Sequence, residues 1–361
     1  MSSNIEIVDA LTRQQILLQR RGTQIYKDLL PLLLEVQRKS AAIMASSPTD
    51  TFTNVRSQAI FAEIDKLISD LGITVTDKLY ADLRELAEYE AGVTTTALSS
   101  VTKATFVAPT TAQIDAVMSN PVMRLVDERM GTTRALTVDN MVVNFSMSAS
   151  KRIKAEIQKG IIEGASISNV VKSVDRIVDR RTRRELEAVI RTATNAISSE
   201  ARKTVYDYND DIIKGYRWVS TLDSRTTAVC RGRDGRFYEK GTQPTPPAHY
   251  NCRSVVVPVI EDKYSLSGGK TTRMARDPDT NKSQRVDGKA TYNSWLKDQD
   301  TEFQDEVLGV RKAQLFRSGN LHLSKFTNDD GVSYTMAELK ALYPKAWARA
   351  FGAKDISPIT V

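Results

Sequence analysis

The stretch "IEIVDALTRQQILLQRRGTQIYKDLLPLLLEVQRKSAAIM", residues 5–44, carries apolar side chains at three- and four-residue steps almost without a break. That spacing puts them on one face of an α-helix. An apolar stripe of this kind is stable only when something covers it, and the next segments supply helical candidates. "VRSQAIFAEIDKLISDLG" is amphipathic and is expected to stop at Gly72 as its C′ residue. "TVTDKLYADLRELAEYEAGVTTTAL" reads as another helix. Gly22 and Pro31 are expected to divide or kink the first one.

Residues 46–54, "SSPTDTFTN", form a loop with helix-start chemistry. Residues 94–112 are rich in Thr, Ser and Ala and suggest an irregular crossover or flexible arm. Helical pattern returns over 113–214, with Ser166 or Ser168 as an N-cap. At Gly215 the texture changes. "GYRWVSTLDSRTTAVC", "GRFYEK" and "SVVVPV" are short strand candidates separated by Gly, Pro, Asp and Thr. Residues 266–288 are polar and suggest a mobile surface loop. The tail is helical again, with Thr335 and Glu338 in capping-box spacing. The expected class is α+β, mostly helical. The expected division is a helical N-terminal domain with its arm (1–112), a helical lead-in (113–214), a small β-containing core (215–262), a polar loop (263–290) and a helical tail (291–361).

Composition narrows the function classes. No run approaches the ~20 apolar residues of a membrane span. The start, "MSSNIEIVDALTRQQ", has no basic segment followed by an apolar one, the pattern of a secretion signal. Lys and Arg number 51 against 44 acids, a net charge of +7 that permits a nucleic-acid partner without requiring one. With 2 cysteines in 361 residues, a disulfide scaffold is excluded, and synthesis in a reducing compartment is expected.

Soft metal ligands are scarce: Cys230, His249 and Cys252, spaced Cys-x18-His-x2-Cys. Zinc takes thiolate and imidazole in tetrahedral sites, and a two-residue gap lets one turn present two ligands. Asp223 or water is the candidate fourth ligand, because Ser254 stands where a further cysteine would complete the set. Three readings stay open: a zinc site, a reduced cluster packed in a small β-unit, and a Cys230–Cys252 disulfide. Thiol catalysis is not expected, because His249 and Cys252 share one short loop and no oxyanion-hole, phosphate-loop or HExxH signature accompanies them. Asp223, Asp234 and Glu239 could together bind a hard cation, but acids at turns are more often solvated or capping. Arg225 and Arg253 are candidates to pin loops by pairing with Asp223. Arg180, Arg181, Arg183, Arg184 and Arg191 make the densest basic cluster and the best nucleic-acid candidate. Asp175, Asp179, Glu185 and Glu187 interleave with them at intrahelical pairing distances, which favours a solvated face.

The segment "GYRWVSTLDSRTTAVCRGRDGRFYEKG…PPAHYNCRSVVVPV" resembles the core of the phage Mu F-like minor head protein family. The pattern is a Trp, then Asp-x-Arg-Thr, a Cys or His a few residues on, a Gly turn, and a closing Pro-x-x-His-x-x-Cys-Arg. Its matches are Trp218, Asp223, Arg225, Thr226, Cys230, Gly235, Pro246, His249, Cys252 and Arg253. "IRTATNAISSEARKTVY" before it and "SWLKDQDTEFQDEVLGVRKAQLFRSG" after it extend the resemblance to roughly residues 150–340. Family members commonly end the motif in CRC, and Ser254 departs from that. The resemblance implies a non-enzymatic, low-copy minor capsid protein of a tailed bacteriophage. Such a protein is made in the host cytoplasm and sits in the virion, inside the head or at the portal vertex. Its implied role is head morphogenesis and DNA packaging or ejection. The implied partners are portal protein and capsid, with packaged double-stranded DNA bound nonspecifically. The competing class is a phage-delivered metal-dependent nuclease or effector enzyme. Trp218 enters this frame as a loop-pinning residue beside Arg225 and Arg253.

Overall fold

The computed structural model describes residues 2–45, 54–118, 121–127, 130–266, 272–280 and 282–352. The N-terminal apolar stripe forms one uninterrupted helix, α1 (Ser2–Ala45), with Pro31 inside it. The second, α2 (Asn54–Ser100), is also a single helix. The expected stop at Gly72 is therefore corrected, and the expected irregular arm at 94–112 is corrected in part: helix runs through Gly72 to Ser100, and residues 101–110 are irregular. The reason at Gly72 is packing. A Cβ there would lie 2.8 Å from Ser146 Oγ, so glycine allows close approach to a neighbouring helix rather than ending its own. The loop expected at 46–54 falls largely outside the described residues.

A short helix α3 (Thr111–Val117) leads to a hairpin of β1 (Met123–Asp127) and β2 (Thr132–Leu136), which helical periodicity did not reveal. Then come α4 (Val138–Ile162) and α5 (Ile167–Ile177), the latter capped by Ser166 accepting from Asn169 N–H. A π-helical turn, Val178–Thr182, joins α5 to α6 (Arg183–Asp207). Helices α1, α2, α4 and α6 share one core, to which α1 gives Ile7, Leu11, Leu18 and Ile25 and α2 gives Ile64, Ile68, Val75 and Leu79. Helix α6 is central: 15 of its 25 residues are buried, including Thr192, Asn195, Ser198 and Arg202. Arg202 lies at 2.5 Å from Glu90 on α2 and donates to Gln15 on α1 at 2.9 Å.

The change of texture at Gly215 corresponds to a three-stranded antiparallel sheet of β3 (Ile213–Val219), β4 (Phe237–Tyr238) and β5 (Val255–Ile260), in the order β4-β3-β5. Trp218 pairs with Val256 and Val219 with Val255. Pro258 is tolerated because β5 is an edge strand. Both faces of the sheet join the helical core, one through Tyr216, Trp218 and Val256 and the other through Val219, Val255 and Val257. A six-residue helix, α7 (Ala228–Arg233), fills the β3–β4 connection.

The polar stretch 266–288 is corrected in part. It contains an antiparallel hairpin of β6 (Thr272–Arg276) and β7 (Ser283–Asp287), and Arg273 within it is buried. The tail forms α8 (Tyr292–Lys297), α9 (Thr301–Leu308), α10 (Val310–Arg317), α11 (Met336–Leu342) and α12 (Pro344–Phe351). The Thr335–Glu338 capping box is present on α11. A second core of Tyr292, Trp295, Leu296, Phe316, Leu339 and Trp347 holds the tail together. Among the described residues no helix is long and apolar enough to cross a membrane.

Candidate functional site

Cys230 sits on α7, and its thiol is buried. His249 and Cys252 lie on the loop before β5, where Cys252 N–H donates to His249 C=O at 3.1 Å and closes a turn. Asn251 takes the left-handed backbone conformation inside that turn, at φ 58°. Three elements hold the loop. From α6, Asn195 Nδ2 donates to Cys252 C=O at 2.9 Å, and Thr192 Oγ1 accepts from Asn251 N–H at 3.0 Å. From β1, Val126 N–H donates to Ala248 C=O at 2.8 Å. The third is α7 itself.

The result is a tight donor set. Cys230 Sγ lies 3.2 Å from His249 Nε2 and 3.8 Å from Cys252 Sγ, and the two sulfurs are not bonded. His249 Nδ1 lies 2.8 Å from Tyr250 C=O. A carbonyl only accepts, so Nδ1 carries the proton and Nε2 presents its lone pair to the sulfurs. A backbone partner that fixes the tautomer in this way is the usual support of a metal-binding histidine. Two thiolates on one tetrahedral zinc, at ~2.3 Å each, stand about 3.8 Å apart, the separation observed here. The donor set therefore fits zinc. Burial resists ionisation of both thiols. At Cys252 the neighbouring Cys230 thiol and His249 outweigh burial and pull its pKa well below the usual thiol range. At Cys230 burial and the adjacent Cys252 sulfur both push it up. The pair thus releases one proton readily and holds the second.

Asp223 does not join this group; among the described residues the cluster consists of Cys230, His249 and Cys252. Arg253 occupies its carboxylate at both oxygens, with Nη2 2.8 Å from Oδ1 and Nη1 on Oδ2. Thr226 Oγ1 and Arg225 N–H also donate to Oδ1, at 3.0 and 3.2 Å. Burial would raise this carboxyl pKa, but the Arg253 hydrogen bonds and charge outweigh it and hold it below the ordinary 3.8. Arg225 has a different position from Arg253: its side chain is 66% exposed, with Nε 3.9 Å from Asp223.

Trp218 is fully buried and donates from Nε1 to Ser220 Oγ at 2.9 Å. Ser220 Oγ donates to Cys230 C=O at 2.8 Å and lies 3.0 Å from Ser254 Oγ. Having spent its own proton on Cys230, Ser220 accepts from both Trp218 and Ser254. Ser254, which stands where a third thiol would fall, is thus wired into the wall of the cluster.

The residues sequence reasoning missed are Asn195, Thr192, Ser220 and Arg273, and the reading of Asp234 as a capping or solvated acid is corrected, because its side chain is fully buried beside Arg273. Asp234 is a hub: Oδ1 accepts Ser220 N–H at 2.6 Å, Oδ2 accepts Tyr292 N–H at 2.5 Å, and Arg273 from β6 lies 3.2 Å away. It joins the sheet loop, the β6–β7 hairpin and α8. No local signal marks these residues, since each is an ordinary polar type whose partner lies far along the chain.

The basic cluster does not form one uniform face. Glu185 pairs with Arg152 at 2.5 Å and with Arg181 at 3.3 Å, and Glu187 pairs with Arg191 at 2.7 Å. Arg181 is exposed on the π-helical turn, whereas Arg184 and Arg191 line a cleft next to Arg225 and Arg253. The side chain of Arg180 lies outside the described residues, and Arg183 is half-buried.

Residues 151–257 match the family model described as Phage Mu protein F like protein. No curated protein and no solved structure matches the chain. The family match supports the phage Mu F-like resemblance, and the matched segment contains Trp218, Asp223, Cys230, His249, Cys252 and Arg253 together.

Proposed function

We propose that this chain is a minor head protein of a tailed bacteriophage, present in few copies inside the head or at the portal vertex, where it supports head morphogenesis and DNA packaging or ejection. The match over residues 151–257 carries this reading, since that family is one of phage head proteins. The proposed partners are the portal protein and the capsid shell. The Cys230–His249–Cys252 group has a structural role in it: one zinc ion closes the loop before β5 onto α7, with Arg253 and Asp223 clamping the neighbouring turn. A small three-stranded sheet gains from such a staple, because structural zinc contributes folding energy directly. The nuclease or effector alternative has no specific observation in its favour.

The test is composition of purified heads. Quantitative mass spectrometry is expected to find the chain with the portal protein and at far fewer copies than the shell protein. A copy number equal to that of the shell protein, or absence from portal-containing procapsids, would overturn the assignment.

A further inference from the structure

A cavity of about 730 Å³ opens between α1, α6, the turn after β3 and the end of β6. Six arginines line it: Arg20, Arg184, Arg191, Arg225, Arg253 and Arg276. Arg184 and Arg191 share one face of α6, and the other four come from four further segments far apart in the chain, so no local charge run accounts for their convergence. Among the described residues its lining carboxylates are Glu187 and Asp223. Both are already engaged, by Arg191 at 2.7 Å and by the two-point Arg253 pair. The cleft therefore keeps a surplus of positive charge among residues that water reaches: Arg20 and Arg184 are exposed and Arg225 is 66% exposed.

We propose that this cleft binds phosphate groups carried by a nucleotide, either along a nucleic-acid strand or in a nucleoside polyphosphate. Arginine forks match phosphate oxygens at two points, and their weak hydration suits a partly enclosed site. The cavity falls in the range of ligand pockets, ~300–1,000 Å³, which suits a nucleotide or a few phosphates of one strand. Tyr250 stands in the wall with 41% of its surface exposed, a ring available for stacking on a base. Crowding of like charge supports the same conclusion. Burial, then Arg253, weakens the hold of Arg225 on its proton; Asp223 opposes this, and Arg276 and Arg191 add to it. An anion between these groups relieves that repulsion. The inference rests on the cleft's own residues and not on the place of the chain in a virion, so either can fail without the other.

The test uses the full chain with two probes, a fluorescent single-stranded oligonucleotide of about 12 nucleotides and ATP without metal, measured by anisotropy and calorimetry over a salt series. The variants are Arg225→Gln with Arg276→Gln, and Arg181→Gln as a control outside the cleft. Matching thermal melts establish that each is folded. The double variant is expected to bind at least about tenfold more weakly and to flatten the slope of log affinity against log salt by about 1.5, the loss of two phosphate contacts. The control is expected to match the parent. ATP binding without oligonucleotide binding identifies the ligand as a nucleoside polyphosphate; oligonucleotide binding identifies it as a strand. Failure of both probes to bind at low salt, or equal binding by the parent and the double variant, would overturn the proposal.

Discussion

Arg253 and Asp223 form a two-point ion pair immediately beside the Cys230–His249–Cys252 group, and the acid is almost sealed from water. The Asp223 side chain is 3% exposed and that of Arg253 18%. The adjacency is built into the chain, because Arg253 directly follows Cys252 and Asp223 leads into the turn that starts α7. Whatever holds the cysteine loop therefore also holds the pair.

Removing Arg253 leaves a buried carboxylate without its counter-charge. Arg253→Ala is expected to cost about 3–5 kcal/mol. Arg225→Ala, which removes an exposed group 3.9 Å away, is expected to cost less than about 1 kcal/mol. Urea denaturation of the two variants checks this, and equal losses would refute the assignment of the clamp to Arg253.

Acid should release the same clamp. The folded Asp223 pKa lies below its ordinary 3.8, so the folded state binds this proton less readily than the unfolded chain. The contribution is complete above the ordinary value and is lost as pH falls through the folded one. Denaturation midpoints measured from neutral pH to about pH 3 should drop steeply at the acid end for the parent and less steeply for Asp223→Asn. Parallel acid limbs would argue against an ionised, paired Asp223.

Zinc is expected at about one ion per chain in freshly purified protein. A strong chelator should lower the melting temperature of the parent and leave Cys252→Ser, already metal-free, unchanged. Zinc affinity should weaken as pH falls, because both thiols must lose their protons to bind it. Metal-free protein whose melt ignores the chelator would leave the cluster as packed thiols.

Asn195 tests whether α6 positions the loop. Asn195→Ala removes the donor to Cys252 C=O and leaves a buried carbonyl unpaired, at an expected cost of about 1–3 kcal/mol. Zinc release to a chromogenic chelator should also be faster. A variant with parental stability and parental release would show that Thr192 and Val126 suffice to hold the loop.

Much of this was legible in residue order alone. The 3.6-residue period determined α1 and most of α2, since burial of a continuous apolar stripe decides a helix. The change to β-branched and aromatic residues after Gly215 located β3 and β5. The scarcity of Cys and His picked out Cys230, His249 and Cys252, and the order of Trp218, Asp223, Cys230, His249 and Cys252 carried the family resemblance. Tertiary structure decided what those residues do with one another. Gly72 became a helix-packing contact because Ser146, 74 positions away, lies against it. Asp223 passed from candidate metal ligand to ion-pair partner because the guanidinium of Arg253 reaches both its oxygens. The polar 266–288 stretch became a hairpin because Arg273 finds Asp234 in the core. In each case the deciding partner is distant in sequence. Periodicity and spacing report what a residue needs, whereas the identity of the group that meets the need is set only when the chain closes on itself.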